Sequence, residues 1–129
     1  MAETNGAVGR VQSHRDLVVW QKAMDLAVAV YRHANRFPRE ESYRLTSQIT
    51  RAVASVPANI AEGNGRGTAR EYAHFLSIAK GSLMEVETFL LLAVRLDYLT
   101  EPAVHATLAL IIEISKMLTT LRAKIVAGA

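Results

Sequence analysis

Glu71 and His74 stand three positions apart in the run TAREYAHF, a spacing that sets a carboxylate and an imidazole on one face of a helix. In di-iron bundles, two such E-x-x-H pairs and two further inward carboxylates hold the metals. This chain offers a single pair. Thr68-Ala-Arg-Glu71 also reads as a capping box, in which Thr68 and Glu71 each serve a free backbone N–H at a helix start. Polarity at an exposed helix start is the better account, so no metal site, cofactor or catalytic residue is expected.

Other reactive constellations are missing from the sequence. There is no cysteine, which removes disulfides, thiolate metal sites and a thiolate nucleophile. No G-x-x-x-x-G-K-[ST] loop occurs, and GNGRG (63–67) follows a helical run instead of a strand, so it reads as a turn. No serine sits in a G-x-S-x-G elbow. A small helical ribonuclease would need an arginine and a histidine set wider apart than Arg70 and His74, or than the adjacent Arg32 and His33. Trp20 and Lys22 could stack on a base, but a tryptophan in an apolar helical seam reads first as core.

What remains is charge and helical architecture. The chain has 129 residues, half of them hydrophobic, enough for one domain with a real core. With only 7 glycines and 3 prolines, the composition favours helices over a many-turned β architecture. The opening MAETNGAVGRVQSH lacks the apolar core of a signal peptide, and LALIIEISKML is interrupted by Glu113 and Lys116 before it could span a bilayer. A soluble, cytoplasmic protein with no membrane contact and no small-molecule substrate is the expectation. Residues 1–14 read as a flexible N-terminal segment, 15–126 as the folded domain and 127–129 as a tail.

Four helices follow from period and punctuation. The first runs from near Asp16 to Arg36, with Leu17, Trp20, Met24, Ala27, Tyr31 and Ala34 as its seam, and Phe37-Pro38 ends it. The second covers roughly 40–62 and stops at the glycines of GNGRG. The third opens at Thr68 with the seam Tyr72, Leu76, Ala79, Leu83, Val86, Leu90 and Ala93. At about 29 residues it is roughly 44 Å long. Gly81-Ser82 in its middle costs helix propensity, which a close neighbour would compensate. The fourth starts after Thr100, with Pro102 tolerated in its first turn, and runs to about Val126. It carries two seams, Val104–Leu108–Ile111–Ser115–Leu118–Ile125 and Leu110–Ile114–Met117–Leu121. Short connections make neighbours antiparallel, so the fold expected is all-α: an up-down-up-down antiparallel four-helix bundle.

The second helix is unusual. Leu45, Ile49, Ala52, Val53, Val56 and Ile60 form an ordinary core face, and Gln48, Arg51, Ser55, Asn59 and Glu62 form an ordered polar line beside it. The remaining face, Ser47, Thr50, Ala54, Pro57, Ala58 and Ala61, is almost wholly small. Small side chains admit another backbone, and a polar line can make specific hydrogen bonds. Pro57 removes the N–H that would reach residue 53, and the hydroxyls of Thr50 and Ser55 could take up freed carbonyls. The fourth helix is apolar nearly all round from Leu108 to Ile114. A homo-oligomer is therefore expected, with Ser47, Gln48, Arg51, Ala54, Ser55, Ala58, Asn59 and Glu62 at the interface. The plainer alternative is an alanine-rich face that simply favours helix, beside a solvated polar line.

With these segments laid out, DLVVWQKAMDLA (16–27), FPREESYRLTSQITRAVASVPANIAEGNGR (37–66) and FLSIAKGSLMEVET (75–88) resemble the 23S rRNA-intervening-sequence four-helix-bundle proteins of bacteria. The likeness spans about residues 15–125. Its matching positions are Trp20, Gln21, Lys22, Phe37, Pro38, Tyr43, Ser47, Gln48, Arg51, Pro57, Asn59, Glu62 and Gly63, with a departure at Asn64, where an aromatic often follows the glycine. The resemblance implies an up-down bundle assembled into a ring-shaped homopentamer. It also implies kinship with the accessory variability protein of diversity-generating retroelements, a basic pentamer that binds nucleic acid and a reverse transcriptase. No catalytic residue comes with the family.

The formal net charge is +3 and the isoelectric point about 9.5. Residues 10–70 hold ten Lys/Arg against five Asp/Glu, whereas 71–129 hold five against six. In the bundle, Arg66, Arg70, Arg122 and Lys124 would gather at one end and Arg36, Arg39 and Arg44 at the other, and both sets are candidates for nucleic-acid binding. Ring symmetry would multiply a weak surplus of charge. The function expected is a non-catalytic homo-oligomeric scaffold whose basic surface binds RNA, DNA or a reverse-transcriptase-like partner. The alternatives are a protein–protein adaptor without nucleic-acid affinity and, behind it, a small helical ribonuclease. The glycine loop tips the preference between the two ends toward the Arg66 set, because its backbone amides can approach a phosphate.

Overall fold

The structure, a computed structural model, describes residues 13–129. The N-terminal segment expected to be flexible lies outside the described residues except for Ser13 and His14. Ser13 caps a short 3₁₀ turn, His14–Asp16, by accepting from the Arg15 N–H, and Asp16 returns a bond to the Ser13 N–H. Four helices follow: α1 (Val18–Ala34), α2 (Leu45–Asn64), α3 (Ala69–Arg95) and α4 (Glu101–Ala127), and no strand forms among the described residues. Each helix packs on its sequence neighbour, and α1 closes against α4, which makes a four-helix bundle with antiparallel neighbours. One core runs its length, from Leu26, Val30 and Val53 to Leu83, Ile111 and Leu118.

The core faces of α2 and α3 lie where their spacing puts them. Leu45, Ile49, Ala52, Val53, Val56 and Ile60 are buried, as are Leu76, Ala79, Leu83, Val86, Leu90 and Ala93. The face of α1 is turned by one position. Its buried stripe is Val19, Ala23, Leu26, Val30 and Ala34, while Met24 and Tyr31 are exposed and Trp20 is half-buried at the rim, edge-on to His14. Two adjacent apolar arcs run along this helix, and the narrow space against α2 and α4 accepts the smaller one. In α4 the buried set merges the two seams, taking Val104, Ile111, Ile114 and Leu118 together with Thr107.

Helix ends depart from expectation where side chains intervene. α2 begins at Leu45, later than the sequence suggests, because a 3₁₀ turn (Arg39–Glu41) precedes it and the Glu41 carboxylate accepts from the Leu45 N–H at 3.3 Å. The same carboxylate accepts from the Tyr98 hydroxyl at 2.7 Å, which holds the Glu41 carboxyl below its usual range and pushes the Tyr98 phenol above its own. Between α3 and α4, Asp97 takes a left-handed conformation (φ 64°). Tyr98 and Asp97 N–H groups return to the Ala93 and Val94 carbonyls, a Schellman stop with an aspartate where glycine is usual. At α3 the box is half made: Thr68 accepts from the Glu71 N–H, but the Glu71 carboxylate bonds the Thr68 hydroxyl instead of its backbone N–H.

Pro57 lies inside α2 and is buried. The Thr50 hydroxyl donates to the Thr46 and Ser47 carbonyls, and Ser55 reaches α3, so neither serves the carbonyl of Val53. At Gly81-Ser82 the close neighbour stands against Ser82, which is buried and 2.7 Å from the Ser55 hydroxyl, while a Cβ on Gly81 would meet nothing; a tighter approach occurs at Gly63. A Cβ on Gly63 would stand 2.9 Å from Phe75 Cβ, 3.1 Å from Tyr72 Cδ1 and 3.2 Å from the Tyr72 carbonyl.

Two outcomes follow. Gly63→Ala gains about 1 kcal/mol of helix propensity but must push α3 away, at a cost of about 1–3 kcal/mol. Denaturant unfolding should show net destabilisation, and unchanged or higher stability would refute the close contact. His33 joins the Thr107 hydroxyl across α1 and α4 at 2.9 Å, and burial, aided by Arg36, lowers its pKa from 6.5. The native form therefore resists a proton that the unfolded chain accepts. Stability is complete above about pH 6.5 and falls as pH drops below it, before carboxylates protonate. His33→Gln should flatten the melting temperature over this window; a profile as steep as the parent's would exclude His33 as the cause.

Candidate nucleic-acid interface and assembly faces

Pairing sorts the basic residues more sharply than position does. Arg66 follows α2 and turns back on it: its guanidinium meets Glu62 at 2.8 Å and Glu71 at 4.0 Å, and lies 4.8 Å from the centroid of the Phe75 ring. Arg122, on α4, donates from Nε to the Ala73 carbonyl (3.2 Å) and to Ser77 Oγ (2.8 Å). Both acceptors are neutral, so its charge is not cancelled. Arg70 has no ion pair among the described residues and is exposed.

Arg70 lines two adjoining clefts at this end of the bundle. One, of about 550 Å³, is shared with Arg66, Glu71, His74 and Phe75. The other, of about 250 Å³, is shared with Arg122, Ala69, Ala73, Val126 and Ala129. Three of the four candidates at this end thus form one strip. Lys124 does not belong to it and faces the groove between α1 and α4, with Leu17, Val18, Lys116 and Leu121. At the opposite end Arg36, Arg39 and Arg44 make no ion pair among the described residues and are exposed. Tyr43, between Arg39 and Arg44 in sequence, is almost wholly exposed at 97%.

Phe75 and His74 enter this site although the sequence argues for neither as a ligand. His74 packs edge-on to Phe75, 5.6 Å between centroids. The available signal was the i, i+4 step from Arg70 to His74, which sets both on one helical face. His74 and Glu71 gain no third partner: no group of three or more His, Cys, Asp or Glu side chains able to hold a metal occurs among the described residues.

The polar line of α2 divides. Ser55 hydrogen-bonds Ser82 of α3 at 2.7 Å, and the Asn59 amide donates to the Ser55 carbonyl and hydroxyl at 2.8 and 2.9 Å. These two are half-buried within the chain, whereas Gln48, Arg51, Ala54, Ala58 and Glu62 are exposed and Ser47 is intermediate. Gln48, Arg51 and Ser55 form one wall of an α2–α3 groove of about 290 Å³, opposite Glu85 and Phe89. Lys22, in turn, pairs with Glu113 of α4 at 3.0 Å.

Large apolar side chains occupy outward faces. Val18, Met24, Val28 and Tyr31 on α1, Ile78, Met84, Leu91 and Leu92 on α3, Leu96 just past its end, and Ile112 on α4 are each between 37% and 53% exposed. By length and composition α4 is apolar enough to cross a membrane, and 28% of its most apolar window is buried.

Residues 15–120 match the profile of the family described as 23S rRNA-intervening sequence protein. A crystal structure of a protein of unknown function, from the S23 ribosomal protein family of Bacteroides thetaiotaomicron, is similar to this chain at 26% identity and a TM-score of 0.75. The match covers 81% of this chain and 98% of that one. Among curated proteins none matches significantly.

The Ser55–Ser82 contact yields its own measurement. Ser55→Ala strands the buried Ser82 hydroxyl at a cost of about 1–3 kcal/mol, whereas removing both hydroxyls costs less than the sum of the single changes. A double-mutant cycle in urea reads the difference, and strict additivity would show that the two side chains do not interact.

Proposed function

Because this chain belongs to the 23S rRNA-intervening sequence protein family, we propose that it is a non-catalytic homo-oligomeric scaffold, a pentameric ring, whose repeated basic end binds nucleic acid or a nucleic-acid-processing protein. The observation that carries this reading is the number of large apolar side chains exposed on α1 and α3. A few scattered exposed leucines need no explanation, but four such side chains on each of two helices that flank α2 do. Between them α2 presents the exposed Ala54 and Ala58, and α3 offers Gly81, where a Cβ would meet nothing. A neighbouring helix can come close there. A contact between two different faces is heterologous, and it closes into a ring when the rotation permits.

The basic end then acquires its function by repetition. Each copy brings Arg70, without an ion pair among the described residues, and Arg122, whose hydrogen-bond partners are neutral, and a symmetry axis would gather these around one surface. Summed fields of this kind attract a phosphate backbone that one +3 chain holds weakly.

Light scattering with filter binding tests both halves. The expected mass is a multiple of 14.1 kDa, five-fold for the pentamer. Ala58→Lys should shift it toward monomer. RNA or DNA affinity should fall on the order of a thousandfold between about 50 and 200 mM salt, as for a protein that contacts at least six phosphates. A monomeric mass at micromolar concentration removes the ring. Binding indifferent to salt, or none at low salt, removes the nucleic-acid half and leaves a protein–protein adaptor.

A further inference from the structure

The cleft at the α2–α3 turn shows a division of roles that net charge alone does not supply. The N–H groups of a guanidinium lie in its plane, so Glu62, at 2.8 Å, holds Arg66 by its edge, with the Glu71 carboxylate nearby at 4.0 Å. Its central carbon is over the Phe75 ring, 4.8 Å from the centroid. The side away from Phe75 remains for a second flat ring, and the side chain is 41% exposed. Two carboxylates offset part of the charge of Arg66, which makes it a weaker grip for phosphate than Arg70 and leaves its plane for stacking. Arg70, with no ion pair among the described residues, lines the same cleft. At about 550 Å³ the space is of ordinary size for a small-ligand site.

We propose that this cleft takes an unpaired nucleobase, stacked on the open face of Arg66, with the adjoining phosphate on Arg70. The inference rests on the nucleic-acid reading above and narrows it to single-stranded RNA or DNA. In a duplex every base is covered on both faces, so no ring is free to stack. Glu71, on the cleft wall, accepts from an exocyclic amine and repels a phosphate, which sets the base toward Arg66 and the phosphate toward Arg70. The Arg66 plane is already ordered by its carboxylates and by Phe75, so little further side-chain freedom is lost on binding.

The test uses the whole chain and short single-stranded RNA and DNA oligonucleotides carrying 2-aminopurine, with duplexes of the same sequence as the comparison. Arg66→Lys keeps the charge and loses the planar face. It should lower single-strand affinity about tenfold and abolish the change in 2-aminopurine fluorescence on binding. Arg70→Gln should weaken binding and make it less dependent on salt. The RNA and DNA arms identify the source, and a fluorescence change lost in Arg66→Lys supports the proposal in either. Equal affinity for single strand and duplex in the parent protein overturns it. So does Arg66→Lys with unaltered affinity and fluorescence; if that binding is still steeply salt-dependent, the electrostatic scaffold survives and only the stack is lost. Absence of all oligonucleotide binding at low salt ends both.

Discussion

The closeness of α2 and α3 at their shared turn decides much of what lies above it. Gly63 lets the last turn of α2 rest on Phe75 and Tyr72, nearer than any side chain at that position allows. Phe75 is thereby held under Arg66, and Arg66 is held in reach of Glu62, one turn back on α2, and of Glu71, on the first turn of α3. Further along the same pair of helices, the Ser55 hydroxyl meets Ser82 across the gap. A larger residue at Gly63 would displace more than a helix. It would move the ring, then the guanidinium, then the cleft that both line.

Much of the bundle was legible because its signals were redundant. The α3 seam repeats without a break, Thr100 and Pro102 mark the start of α4 with side-chain and backbone chemistry together, and the core face of α2 is uniformly branched or small. α1 was read one position off, since a helix with two neighbouring apolar arcs gives the same period for either, and side-chain size argued for Trp20 and Tyr31. The structure favours Val19, Ala23, Leu26 and Val30, because the space between packed helices is filled best by compact side chains and leaves the large rings at the rim. The start of α2 was missed for a different reason: the hydrogen bonds of Glu41 to Leu45 and to the distant Tyr98 are tertiary and have no local trace.

The candidate site was legible in type and only partly in partners. That Arg66, Arg70 and Arg122 share an end follows from antiparallel connectivity alone. That Arg66 is partly neutralised, that Arg122 is tied to uncharged acceptors and that Lys124 turns toward α1 depend on rotation about each helix axis, which spacing fixes only to within an arc. The polar line of α2 shows the same limit. Its members share an arc, yet Ser55 and Asn59 fall on the α3 side of it while Gln48 and Arg51 fall toward water.

The distribution of apolar surface argues for what the bundle lacks by itself. Its core is closed, with most large residues at its centre fully shielded, so the exposed apolar side chains on α1 and α3 are not leftovers of poor packing. They lie away from that core, and α4 buries little more than a quarter of its most apolar window. Each is already about half shielded, so covering the remainder is worth roughly half of the 1.5–3 kcal/mol of full burial. Placed against the small outward face of α2 in another copy, the same residues would contribute that energy to assembly, and the charge left over at the bundle end would be repeated with every copy added. On the proposed assembly, exposed apolar surface and basic end would be linked, since association would supply both the further burial and the summed field.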